Sequence, residues 1–264
     1  MAARAPRTGL LSRLLAAGGA LVSRDVAVLT NAIAFNFLVC LFPLLLALAA
    51  ASQRLGATRT GAALVVVLQE LIPFGHDSLA ESVRNLSKMA RGVEVLSIVL
   101  IVWGSSGIFM PVEMVLNRVW GGKPNRHFAL SRGLAFLMTL AGGLAVLGSV
   151  ALTSIARTYG ALLPGLARWG ARGSAVAMTY LLFLLIYRFI PAAPVGLRVA
   201  SRAALWAAGS WELAKYAFVW NLGRLDLKTT YGPLTFAVTL VLWAYVSSLV
   251  LAFGALMTPV RGRG

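Results

Sequence analysis

Between Thr229 and Val260 the chain carries 32 consecutive residues without a charged side chain, and between Val26 and Gln53 it carries another 28. A helix needs about 20 apolar residues to cross the hydrocarbon of a bilayer. Four more runs follow the same rule. Val95–Val112 is uncharged over 18 residues and Gly133–Ala156 over 24. Gly173–Tyr187 gives 15 and is extended by IYRFIP to Pro191, with Arg188 near the end where a long cation can snorkel. Ala203 to Leu222 is apolar apart from Glu212 and Lys215. The runs are rich in Ala, Leu and Val without strict alternation, which argues for helices and against an outer-membrane barrel. The expected fold is therefore all-α, a polytopic membrane protein of six transmembrane helices. Apolar residues make up 59 % and charged residues 12 % of the chain, against roughly 45–50 % and about 25 % in soluble domains. That excludes a disordered tail, a disulfide scaffold and an ordinary cytosolic enzyme.

Two regions fall outside the six runs. At the start, Arg4, Arg7 and Arg24 flank a short, mostly apolar stretch, Leu10 to Leu21, that contains Arg13. The stretch is too short and lacks the cleavage pattern of a signal peptide, and it reads as an interfacial helix. In residues 61–90, GAALVVVLQELIPF is too interrupted to span and reads as a re-entrant or interfacial hairpin, followed by the polar surface helix DSLAESVRNLSKMARG. The expected organisation is a basic N-terminal segment over 1–25, one membrane domain over 26–258 and a short basic tail over 259–264.

Lys plus Arg number 24 and Asp plus Glu 8, a net charge of +16. A soluble protein this basic would suggest nucleic acid. Here the cations lie between the apolar runs, as membrane-flanking loops require, so anionic lipid headgroups are the expected partner and nucleic acid is not. With the N-terminus inside, 13 cations fall on the inner side and 10 on the outer, the bias being clearest in loop 118–132. Loop cations favour the cytoplasmic face, so both termini are expected to be cytoplasmic. A homo-oligomer stays open.

Ionisable and polar groups at membrane depth need a partner or a role. Glu212 and Lys215 stand three apart, on one face of a helix. They form either a structural ion pair or a coupling or headgroup-binding pair facing a cavity. Glu113 and Asn117, with Arg118 beside them, close the second run. They are either a solvated helix end or a gate in which Glu113 pairs with Arg118 or with a neighbouring span's arginine. Arg188 either snorkels or binds a phosphate through its planar fork. Asn36 in the first run is expected to hydrogen-bond another helix, and Pro43 to kink it. Ser105 and Ser106, between Gly104 and Gly107, make a small polar notch that serves close packing or lines a path. Lys228, Tyr231 and Gly232 precede Pro233 at the entry of the last run, where Tyr231 suits an aromatic belt.

Enzymatic chemistry finds little footing. His76 and His127 are far apart, and neither has a Cys or acid at zinc-ligand spacing. Cys40 lies inside the first run as an apolar filler. Nucleotide-binding glycine motifs, GxSxG and HExxH are missing from the sequence. Eight scattered acids do not supply the clustered carboxylates of a metal nuclease. No catalytic residue, metal or cofactor is expected.

Four stretches, in this order, carry a resemblance: AIAFNFLVCLFPLLLALAA (32–50), WGSSGIFMPVEMVLNRVWG (103–121), LLFLLIYRFIP (181–191) and KTTYGPLTFAVTLVLWAYVSSLVLAFGAL (228–256). The combination of LNRVWG, YRFIP and TYG resembles the BrkB/YihY family of bacterial inner-membrane proteins. The resemblance implies six helical spans with both ends in the cytoplasm of a bacterium. It also implies a link to serum resistance and, in one branch, to export of a lipid A precursor. An older ribonuclease label attached to the family has no support in the acids of this chain. The family pattern ends its last span on Gly-Ala-Glu-Leu, where this chain has Gly254, Ala255, Leu256 and Met257.

Three functions fit these features. The first is an inner-membrane transporter or flippase-like protein for an anionic lipid or amphiphile. The second is a structural or envelope-organising membrane protein that transports nothing. The third is a small-solute or ion pathway.

Overall fold

A computed structural model describes residues 9–54, 109–121, 133, 164–192, 195–222 and 224–258. Among these, all regular structure is helical. In chain order the elements are α1 (Leu10–Val22), α2 (Arg24–Arg54), α3 (residues 109–120), α4 (Pro164–Phe189), α5 (Leu197–Leu222), α6 (Leu227–Tyr231), a 3-10 turn over Gly232–Leu234, and α7 (Thr235–Leu256).

The boundaries have local causes. Pro164 opens α4 at a position whose N–H would have no intrahelical acceptor. Pro191 lies just past its end, where a proline cannot continue the ladder. Gly121 follows α3 with φ +72°, the left-handed conformation that ends helices and suits glycine. Asp226 caps α6: its carboxylate accepts from the Thr229 hydroxyl at 2.6 Å and from the Thr229 N–H at 3.3 Å. The break between α1 and α2 falls at Ser23, whose hydroxyl donates to Ala20 O at 2.6 Å. Across it the two helix axes turn by 70°.

α7 is the central element. It packs against α2 and α5 and touches α1, and α4 packs on α5 while Tyr187 of α4 reaches α7. Its C-terminal half is buried nearly all round, at Val250, Leu251, Ala252, Gly254 and Ala255. The first half of α5 meets it with small residues: Ala200, Ala203, Ala204, Ala207 and Ala208 are buried. Small side chains let helices approach closely, and here the approach is limiting. A Cβ added at Gly254 would stand 2.5 Å from the Tyr187 hydroxyl, 2.7 Å from Ala207 Cβ and 2.8 Å from the carbonyl oxygen of Ala203. An aromatic chain runs along the bundle beside this contact. Trp120 meets Tyr187 edge-on at 5.6 Å, Phe183 bridges Tyr187 and Trp211 at 6.0 Å each, and Trp211 meets Trp243 at 5.2 Å.

The buried Thr and Ser hydroxyls are satisfied within their own helices. Thr30 donates to Val26 O or Ala27 O, Thr239 to Thr235 O and Ser248 to Tyr245 O. The outer surface is the reverse of a soluble protein's. Val28, Phe35, Val39, Val176, Leu181, Leu205, Leu213, Tyr216, Val219, Val241 and Leu242 are exposed on four different helices. Contiguous apolar surface on this scale marks contact with a partner or a membrane.

Among the described residues, α7 alone is both long and apolar enough to cross a membrane, with a mean hydropathy of 2.1 over its best window. The bent pair Leu11–Val22 and Arg24–Val39 raises the number to two if it is a single broken span. Where the expected runs are described they are helical, with α7 narrower than its charge-free run and α4 and α5 starting earlier than theirs. α4 begins at Pro164 and runs through Arg168 and Arg172; α5 begins at Leu197 and takes in Arg198 and Arg202. Arginine is a good helix former, so a charge marks the edge of the lipid-compatible stretch and not the edge of the helix. The expected Gly133–Ala156 run, of which only Gly133 is described, the 61–90 hairpin, the surface helix after it and the start of the second run lie outside the described residues.

Two expectations follow. Gly254→Ala forces α5 and α7 apart against a backbone atom, and overpacking of this kind costs about 1–3 kcal/mol; thermal unfolding in detergent should show the lowered midpoint. At the turn, hydrogen bonds from Thr229 hold the Asp226 carboxyl below its ordinary range. A carboxyl whose folded value lies below its unfolded one supports the fold at neutral pH and loses that support as pH falls through the lowered value. Thr229→Val should move the Asp226 midpoint up toward an ordinary aspartate, read by carbon NMR of the labelled side chain.

Candidate functional site

The last turn of α3 is where helix ends meet. Asn117 is buried, and its Oδ1 accepts the Ala192 N–H at 2.9 Å, holding the turn after α4. Trp120 donates from Nε1 to the carbonyl oxygen of Thr258 at 3.0 Å, just past α7. Arg118 pairs with Asp25 at the start of α2. Three side chains from one helical turn thus reach three other elements. Tyr187 adds a fourth tie, donating from its buried hydroxyl to Leu251 O at 2.7 Å. Arg188 donates to Val195 O at 2.8 Å and closes the connection between α4 and α5. Tyr180 and Ser201 share a hydrogen bond at 2.9 Å two turns further in.

This end of the bundle is basic. Arg24 stands beside Asp25, and Arg198 and Arg202 occupy the first two turns of α5; all three are exposed. Asp25 and Arg118 are 60 % and 66 % exposed, so their pair sits in water and contributes at most about 1 kcal/mol. The Asn117 bond is different in kind, because its loss leaves a backbone N–H without its acceptor.

A second polar feature lies near the middle of α5. Lys215 Nζ is 2.9 Å from Glu212 Oε1, and the two side chains are only 16 % and 23 % exposed. The ammonium approaches Oε1 outside hydrogen-bonding geometry, and that oxygen has no hydrogen-bond partner among the described residues. The pair is therefore an electrostatic contact with one carboxylate oxygen unsatisfied, in a place where burial is costly.

The expected site residues fall as follows. Asn117, Arg118 and Arg188 come together at the basic end, and Glu212 pairs with Lys215. Glu113 lies one turn before Asn117, half-buried; the acid that meets Arg118 is Asp25. Asn36 donates to Ala32 O at 2.8 Å, inside its own helix, where a bond to another helix was expected. Tyr231 is exposed at the end of α6, beyond the far end of α5, and Lys228 lies in the same short helix. Near them Arg224 stacks over the Trp220 ring at 3.7 Å, as in an interfacial belt. Ser105 and Ser106 lie outside the described residues. Sequence reasoning passed over Asp25, Trp120, Tyr187 and Thr258. The first was hidden among arginines, and Trp120 and Tyr187 lie inside the LNRVW and YRFIP motifs that carry the resemblance. Among the described residues, no group of three or more His, Cys, Asp or Glu is placed to hold a metal ion.

Helical architecture, an apolar exterior and these motifs agree with the sequence comparisons. The family model described as virulence factor BrkB matches residues 19–263. The chain belongs to this family of bacterial membrane proteins, for which no catalytic activity is known. It is 28 % identical over 192 residues to a UPF0761 membrane protein of Idiomarina loihiensis, covering 69 % of this chain and 65 % of that one. It is 27 % identical over 253 residues to one of Rhodospirillum rubrum, covering 89 % and 56 %, and 24 % identical over 196 residues to one of Neisseria meningitidis serogroup B, covering 73 % and 48 %. The chain thus spans about half to two thirds of the length of these curated relatives. No solved structure matches it.

The two kinds of contact at the basic end separate by mutation. Asn117→Ala strands the Ala192 N–H, and an unsatisfied buried group costs about 1–3 kcal/mol. Arg118→Ala breaks an exposed pair and should cost no more than about 1 kcal/mol. Unfolding midpoints of the two variants in one detergent should fall in that order.

Proposed function

We propose that the chain is a transporter of flippase type for an anionic lipid or amphiphile in the bacterial cytoplasmic membrane. In this reading it has six spans, a hairpin over 61–90 that does not cross, and both termini in the cytoplasm. The observation that carries the reading is the Glu212–Lys215 pair. An ion pair kept near the middle of a helix whose outer face is apolar costs desolvation, and it repays that cost most directly if it meets a charged substrate. The arginines at the basic end, Arg24, Arg198 and Arg202, suit the phosphate of a headgroup arriving from that leaflet. Arg188 contributes to the same surface while held by Val195 O.

A second reading, a structural membrane protein without transport, is favoured by one observation. Asn117, Arg118 and Arg188 are all engaged in tying helix ends together. In that reading Glu212 and Lys215 do the same within α5.

Headgroup-resolved scrambling in proteoliposomes separates the two. Removing one member of a buried pair typically costs about 3–5 kcal/mol, and removing both costs less. The double variant Glu212→Leu, Lys215→Met should therefore fold better than Lys215→Met alone. Transport requires that this double variant, at an unfolding midpoint close to the parent's, no longer moves anionic lipid. Unchanged scrambling makes the pair structural, and absence of scrambling by the parent protein removes the transport reading.

A further inference from the structure

α1 divides into three faces. Ala17 is buried, and Leu21 packs beside the core. Arg13, Ser12, Gly19 and Ser23 are exposed on the side away from the leucines. Between these two faces lie Leu11, Leu15 and Val22, at 72 %, 70 % and 82 % exposure. At 100° per residue the three share an arc of about 40°. On α2, past the 70° turn at Ser23, Val28 and Phe35 are exposed as well.

Exposed apolar side chains on both sides of a turn of this size fit the boundary between acyl chains and headgroups. α2 follows the chains, and α1 lies nearly along the surface. The charges agree. α1 carries no acid, Arg13 and Arg24 are exposed, and the neighbouring Asp25 carboxylate is occupied by Arg118. Cations on the polar face of a helix whose other face is inserted favour an anionic leaflet.

We infer that α1 is an anchor for an anionic leaflet at the basic end of the bundle, inserting Leu11, Leu15 and Val22 and holding Arg13 and Arg24 at the phosphates. The inference rests on the membrane placement of the bundle and not on transport. Because α1 packs on α7 and α2, insertion couples the leaflet directly to the central helix.

The test uses the full chain with Cys40→Ala, reconstituted in vesicles of phosphatidylcholine with or without phosphatidylglycerol. A fluorophore is placed by Leu15→Cys, Val22→Cys, Ser12→Cys or, on α7, Leu242→Cys. Quenching by brominated lipid should be several-fold stronger at 15 and 22 than at 12, and iodide should show the reverse order. Phosphatidylglycerol should strengthen the lipid quenching at 15 and 22, and Arg13→Gln with Arg24→Gln should abolish that gain. Equal iodide quenching at 12, 15 and 22, with 242 still quenched by lipid, overturns the anchor and leaves the membrane placement standing. Iodide quenching at 242 as well overturns the placement itself. Lipid quenching at 15 and 22 that ignores phosphatidylglycerol overturns the anionic preference.

Discussion

The close approach of α5 and α7 sets the rest of the bundle. Gly254 leaves no room for a methyl group beneath Tyr187, Ala203 and Ala207, so the two backbones pack with little between them. In lipid this matters more than in water. Apolar residues gain nothing by leaving hydrocarbon for one another, and association relies on tight van der Waals packing and on hydrogen bonds between helices. The Tyr187 hydroxyl supplies such a bond to Leu251 O at the same level. Close packing and a polar tie coincide at one height. The aromatic chain from Trp120 to Trp243 then fills the space that the small residues leave on either side.

That constraint explains the division of polar groups. Thr30, Thr239, Ser247 and Ser248 turn their hydroxyls back on their own helices, while Tyr180 and Tyr187 reach a neighbouring one. Side chains that cross between helices gather at the basic end, where Asn117, Trp120 and Arg118 reach three different elements. The Glu212–Lys215 pair breaks the pattern, lying within a single helix away from that end and only partly exposed. A structure built for stability alone would replace it with apolar residues at no loss.

Much of the architecture was legible from charge-free length. The two longest runs became α2 and α7, and the N-terminal apolar stretch became α1 within one residue of its expected end. The spacing of Glu212 and Lys215 gave their pairing directly, since a three-residue offset is a local property of a helix. Helix starts were misjudged at α4 and α5 because lipid compatibility and helicity are different quantities. The contacts of Asn117, Arg118 and Trp120 could not be read at all. Each partner lies between 75 and 138 residues away, and no periodicity carries information over that distance. Asn36 looked like an interhelical donor by residue type, yet its own helix offered a carbonyl one turn back.

The proposed six-span arrangement requires α5 to cross hydrocarbon with its small residues inward and its large apolar residues toward lipid, despite the charges it carries. Spin-label accessibility along positions 202–224 in bilayers tests it most directly. Oxygen contact should peak at Leu205, Gly209, Leu213, Tyr216 and Trp220 and fall at Ala203, Ala207 and Trp211, with a water-soluble nickel reagent reaching only the two ends. Nickel contact along the whole outer face would contradict it, since α5 would then lie in water.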